Sequence, residues 1–133
     1  MKKWESHLTT ARENLEIAKK IYHLNNSDFF YWITVILFYS AFHFLSALLF
    51  NKGITPPGRH KDMEREGGST SKGMNTLSGE HLGGLEIHYM RLYNYSWHAR
   101  YVAQPQRSQK MVDICFKSCK KIATFVKKEI DKI

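Results

Sequence analysis

The sequence predicts an all-α protein, an up-and-down four-helix bundle with one long loop between its second and third main helices. Three observations carry this expectation. Residues 29–50 form a run of 22 without a charged side chain. The segments on either side of it repeat apolar residues every three or four positions, the spacing of one helix face. Proline and glycine gather mainly in a single internal stretch, 54–77, so the chain has few other places to break. A chain of 133 residues suits one domain, 1–133, and can bury a core without disulfides or metal.

The first helix is expected over Trp4 to Leu24. Leu8, Ala11, Leu15, Ala18 and Tyr22 form its apolar stripe, while Arg12, Glu13, Glu16, Lys19 and Lys20 occupy the other face. Asn25 and Asn26 suit a turn, and Ser27 or Asp28 can cap the second helix. That helix is the uncharged run itself, ending near Asn51, Lys52 and Gly53. It is long enough to cross a bilayer. It also contains Tyr31, Trp32, Thr34, Tyr39, Ser40, His43 and Ser46, whose polar atoms would lack partners in hydrocarbon and find them among neighbouring helices. The expectation is therefore a buried central helix with no membrane association, whose excess apolar surface seals a homodimer. His43 is expected as a neutral core histidine bonded to a hydroxyl or carbonyl, with a role opposite His98 as the alternative.

Residues 54–77 read as a flexible loop, in which Arg59 to Glu66 has the composition for two helical turns. Lys61, Arg65 and Lys72 are its candidate contacts to a phosphate backbone; an ordinary solvated loop is the alternative. The third helix opens near Thr76 or Ser78, or closer to Leu85 because Gly83 and Gly84 weaken the first turns, and ends between Ala99 and Pro105. Leu82, Leu85, Tyr89, Leu92 and Ser96 are its inner residues. Ser108 can cap a fourth helix running to about Asp131, with Met111, Ile114, Cys115, Ser118, Ile122, Phe125, Val126 and Ile130 inside.

Net charge is +8, and residues 106–133 dominate it with eight Lys or Arg against three Asp or Glu. A basic helix of this kind attracts nucleic acid or anionic lipid, or is simply a solvated face. Cys115 and Cys119 lie one turn apart and read as small buried thiols; a zinc site would need two further ligands at an ordered spacing. No metal and no cofactor is expected. The first 20 residues lack the short apolar core of a secretory signal, which points to the cytoplasm. Gly-rich phosphate loops, dinucleotide fingerprints and His-Glu-x-x-His are absent from the sequence.

Arg91 and His98 are the candidate catalytic pair. Seven residues apart on one helix, they share nearly the same face after two turns. An imidazole titrating near neutrality can take the proton of a ribose 2′-hydroxyl, and a guanidinium can hold the phosphate as negative charge builds. The alternative pairs Arg91 with a carboxylate and leaves His98 at a helix end. The aromatic residues Tyr89, Tyr93, Tyr95, Trp97 and Tyr101 can stack on bases or form core and interface.

The sequence resembles the HEPN family. The resemblance rests on the amphipathic first helix, on Tyr39-Ser40-Ala41-Phe42-His43 followed by Ala47-Leu48-Leu49, on Arg91 and His98 enclosing six residues, and on the tail from Ile122 to Ile130. It covers nearly the whole chain and fits 54–77 only loosely. It implies a helical bundle that dimerises so that Arg and His of two subunits line a shared cleft. It also implies a metal-independent endoribonuclease of the toxin or defence type, acting on RNA and paired with a nucleotidyltransferase-type partner protein. Leu92 departs from the family pattern, which usually has Asn or Asp directly after the Arg. The stretch Tyr95 to Tyr101 is similar to an inactive branch, in which Arg100 and Tyr101 serve binding or packing. The second implied function is therefore a noncatalytic dimeric binding module acting with a partner protein or nucleotide. Arg100, Tyr101 and Lys61 are the candidate nucleic-acid contacts.

Overall fold

The computed structural model describes residues 2–64, 70–102 and 108–132. Among the described residues there are five α-helices: α1 (Lys3–His23), α2 (Phe30–Asn51), α3 (Met74–His81), α4 (Glu86–Tyr101) and α5 (Gln109–Asp131). A single 3-10 turn, Ser27–Phe29, precedes α2, and a minimal antiparallel pair, β1 (Met63–Glu64) and β2 (Thr70–Ser71), lies between α2 and α3. The four long helices are the expected bundle, and α2 is its axis, packing against α1, α4 and α5.

Burial explains why α2 is central. Its residues Ile33, Leu37, Phe38, Ala41, Phe44, Leu45 and Leu49 are all fully enclosed. Each large side chain of this kind contributes about 1.5–3 kcal/mol relative to exposure. Length and composition alone would let Ser27–Asn51 cross a membrane, yet 72% of its most apolar window is covered by the rest of the chain. The polar atoms of the run find partners there. Thr34 donates to the Tyr31 carbonyl at 2.6 Å and Ser46 to the Phe42 carbonyl at 2.9 Å. Ser40 reaches across to the Ala11 carbonyl at 2.7 Å, and Tyr39 accepts from Arg100 at 2.9 Å.

His43 differs from expectation in its partner. It meets His7 of α1, Nδ1 to Nδ1 at 2.9 Å, with the rings stacked at 5.1 Å. Such a bond requires one ring to carry the proton at Nδ1 and the other to be bare there. Burial lowers the pKa of both rings, and His7 lowers that of His43 further.

Outer elements obey their sequence signals with three changes. Asn26 caps the turn before α2, accepting from the Asp28 amide at 3.0 Å, so neither Ser27 nor Asp28 does so. Ser108 caps α5 as expected, accepting from the Met111 amide at 3.1 Å. The third predicted helix is two helices. Gly83 and Gly84, at φ +57° and +88°, occupy the left-handed region that other residues avoid, and the chain turns there. A Cβ at Gly83 would lie 2.6 Å from the Phe125 ring, so this corner sits directly on α5.

The two helical turns allowed for Arg59 to Glu66 do not form over the described residues 59–64, which end in β1. Several contacts hold this segment. The Met74 amide donates to the Arg59 carbonyl at 2.8 Å, and the Asn75 amide to the His60 carbonyl at 2.9 Å. Asp62 accepts from the Gly73 amide at 2.9 Å and from the Thr76 hydroxyl at 2.6 Å. These two bonds, the larger effect from Thr76, hold its carboxyl below the usual range. Any Cβ at Gly73 would collide with the Lys61 carbonyl. The His60 ring packs among Phe38, Tyr93 and Phe42, with centroids 5.3–5.8 Å away.

Candidate functional site

Helix α4 begins at the glycine corner, and that start decides which side chains point inward. Tyr89, Leu92, Tyr93 and Ser96 are buried against α2 and α5. The residues between them in phase, Ile87, Met90, Arg91, Asn94, Tyr95 and His98, line an open cleft of about 410 Å³. The spacing argument thus places Arg91 and His98 on one face, and the fold leaves that face uncovered.

Arg91 is half-buried at its base and held by α5. Its Nη1 donates to the Ser118 hydroxyl at 3.3 Å, and His88 Nδ1 lies 3.0 Å from the same oxygen. One hydroxyl can accept from Arg91 while donating to a bare His88 nitrogen. Burial, then Lys121 and Arg91, lower the His88 pKa and favour that neutral ring. Among the described residues, the partner of Arg91 is therefore a hydroxyl, not a carboxylate. His98 is exposed and meets the Trp97 ring edge-on at 5.6 Å.

The candidate nucleic-acid contacts separate. Lys61 shares a second cleft, about 320 Å³, with Asn75, Asn94, Trp97 and His98. Tyr101 is exposed, its ring 5.4 Å from that of Trp97. Arg100 turns the other way: it donates to Tyr39 and to the Ser96 carbonyl, and its guanidinium lies over the rings of Tyr39 and Tyr101 at 5.6 and 5.3 Å. Lys72 forms an exposed ion pair with Glu80. Arg65 lies outside the described residues. Asn94 and Asn75 were not singled out from sequence. Asn94 follows Arg91 by three positions and precedes His98 by four, so the helical phase that paired those two would have found it.

His43 does not line either cleft. Leu92, which stands where the family pattern has a polar residue, is fully buried. Cys115 and Cys119 are buried free thiols, their pKa pushed up to about 12 and about 11, chiefly by burial. No group of three or more His, Cys, Asp or Glu side chains is arranged to hold a metal ion among the described residues.

The fold is a helical bundle with Arg91 and His98 on one exposed helix face. Residues 4–130 match the HEPN domain family, and the chain belongs to it. A search of curated proteins found no match.

Proposed function

We propose that this HEPN protein is a metal-independent endoribonuclease with Arg91 and His98 as its catalytic residues. The observation that carries the reading is that both side chains line one open cleft whose described lining contains no carboxylate. A phosphodiester entering it meets a guanidinium and an imidazole without like-charge repulsion. His98 takes the 2′-hydroxyl proton, the 2′-oxygen forms a bond to phosphorus, and the bond to the 5′-oxygen breaks. Arg91 stabilises the negative charge on the phosphoryl oxygens, and the departing 5′-oxygen takes a proton from water, the resulting hydroxide being neutralised by the proton that His98 holds. The products are a 2′,3′-cyclic phosphate and a 5′-hydroxyl.

In this reading the protein works in the cytoplasm as a homodimer, with a second Arg91 and His98 facing the same substrate. A nucleotidyltransferase-type partner of the kind expected from the sequence would regulate the enzyme by covering the same face. A noncatalytic HEPN module that binds a partner protein or nucleotide is the second reading, favoured by one specific feature, the buried Leu92.

The test is incubation with single-stranded RNA in excess chelator. Wild-type protein should cut the RNA, and His98→Ala should be slower by about 10²–10⁴-fold. Equal RNA loss in both samples rules out catalysis by His98, and RNA bound intact by the wild type favours the noncatalytic module.

A further inference from the structure

The two clefts on α4 are not separate. Both are lined by Met90, Asn94 and His98, so they join across the imidazole. On the Arg91 side the chemistry suits a phosphate. The other side is differently built, with an aromatic ring, Trp97, two carboxamides, Asn75 and Asn94, and one cation, Lys61.

Trp97 is 43% exposed, a large apolar surface left open on a helix whose inner positions are well covered. Its neighbours are fixed. Lys61 and Asn75 come from distant parts of the chain and are joined by the Asn75 amide bonded to the His60 carbonyl. The His60 ring, set among Phe38, Phe42 and Tyr93, pins that junction against α2 and α4. The cleft is thus assembled from three segments rather than lying along one helix.

We propose that this second cleft is a nucleobase subsite, holding the base of a nucleotide adjacent to the scissile phosphate. A tryptophan face stacks on any base. The exposed Asn94 carboxamide offers a donor and an acceptor side by side, the pattern that base edges match, whereas the Asn75 oxygen is buried. Lys61 is placed for the phosphate on the far side of that nucleotide. The substrate class is accordingly single-stranded RNA with an unpaired base at this position, because a base within a duplex offers no free face to Trp97. The assignment rests on reading the Arg91 and His98 cleft as the phosphate site.

The experiment separates the two assignments by using a strand that cannot be cut. Binding of a 2′-O-methyl hexanucleotide to the full chain is compared with binding of inorganic polyphosphate, a polyanion without bases. Trp97→Ala should weaken the oligonucleotide about tenfold and leave polyphosphate unchanged, Trp97→Phe should retain most of the affinity, and Lys61→Ala should weaken both. Equal weakening of both ligands by Trp97→Ala, or of neither, overturns the subsite. So does loss of binding in Trp97→Phe together with a change of oligomeric state, which would make the ring a protein contact. Since the methylated strand has no nucleophile, failure to cleave unmodified RNA would remove the nuclease reading without touching this result.

Discussion

Helices α4 and α5 lie side by side, and they divide between them two properties that sequence inspection tends to merge. Helix α5 has the charge: Lys117, Lys120, Lys121 and Lys128 are exposed along it. Helix α4 and its flanks, 78–105, have no net charge, yet they hold Arg91 and His98. Exposed lysines act at a distance through a field that salt screens, whereas a site needs groups held at fixed separations. In the proposed reading, net charge locates where a polyanion is attracted, and constellation locates where it reacts.

Breaking this division is direct. Arg91→Ala should reduce RNA cleavage by about 10²-fold, through loss of the phosphate clamp, and change the salt dependence of binding little. Gln at these four exposed α5 lysines should do the reverse: affinity falls by about tenfold or more near physiological salt and the slope of log affinity against log salt becomes shallower, while single-turnover cleavage of saturated RNA stays near wild type. Matching effects on both quantities from both variants would show that the two helices form one site.

A smaller effect probes the seam between them. Ser118→Ala removes the hydroxyl shared by His88 and Arg91. It should cost about 1 kcal/mol of stability and lower cleavage by severalfold, because Arg91 loses its tether but keeps its charge. Denaturant melts and initial rates check the two parts separately.

Smallest is the response to pH, to which His7 and His43, away from α4 and α5, contribute together with His60, His81 and His88, whose pKa values burial also lowers. Burial, with His7 adding to the effect at His43, lowers both pKa values in the folded state. The unfolded chain therefore binds more protons as pH falls below about 6.5. Stability is fully present above that value and is lost as pH drops through the lowered folded values. Thermal melts should shift down between pH 7.5 and 5.5, and His43→Phe should reduce the shift in part, the remainder coming from the other buried histidines, while leaving the α4 and α5 phenotypes in place.

The bundle was legible because α1, α2 and α5 each write their burial pattern into consecutive residues. Helix α3 was not, since Met74–His81 is short and contains Gly79, and its place is fixed by Asp62 and by backbone bonds to Arg59 and His60. That Arg91 and His98 share one face was legible because their relation is local, two turns of one helix. The same arithmetic shows why Arg100 turned inward: nine residues beyond Arg91 is about two and a half turns, the opposite side. Lys61 and Asn75 beside His98 could not have been deduced in this way. Their proximity comes from His60 seated among rings of α2 and α4, a long-range contact with no periodic signature.

The glycine corner before α4 has a further consequence, which concerns angle. With Gly83 pinned on Phe125, the glycine pair fixes where the helical rotation starts, and every later side chain inherits its bearing from that origin. Adding or removing one residue between the corner and Arg91 would turn the rest of the helix by about 100°, swinging Arg91 and His98 off the open face. A single-residue deletion there would amount to replacing the whole site at once, with no site residue itself altered.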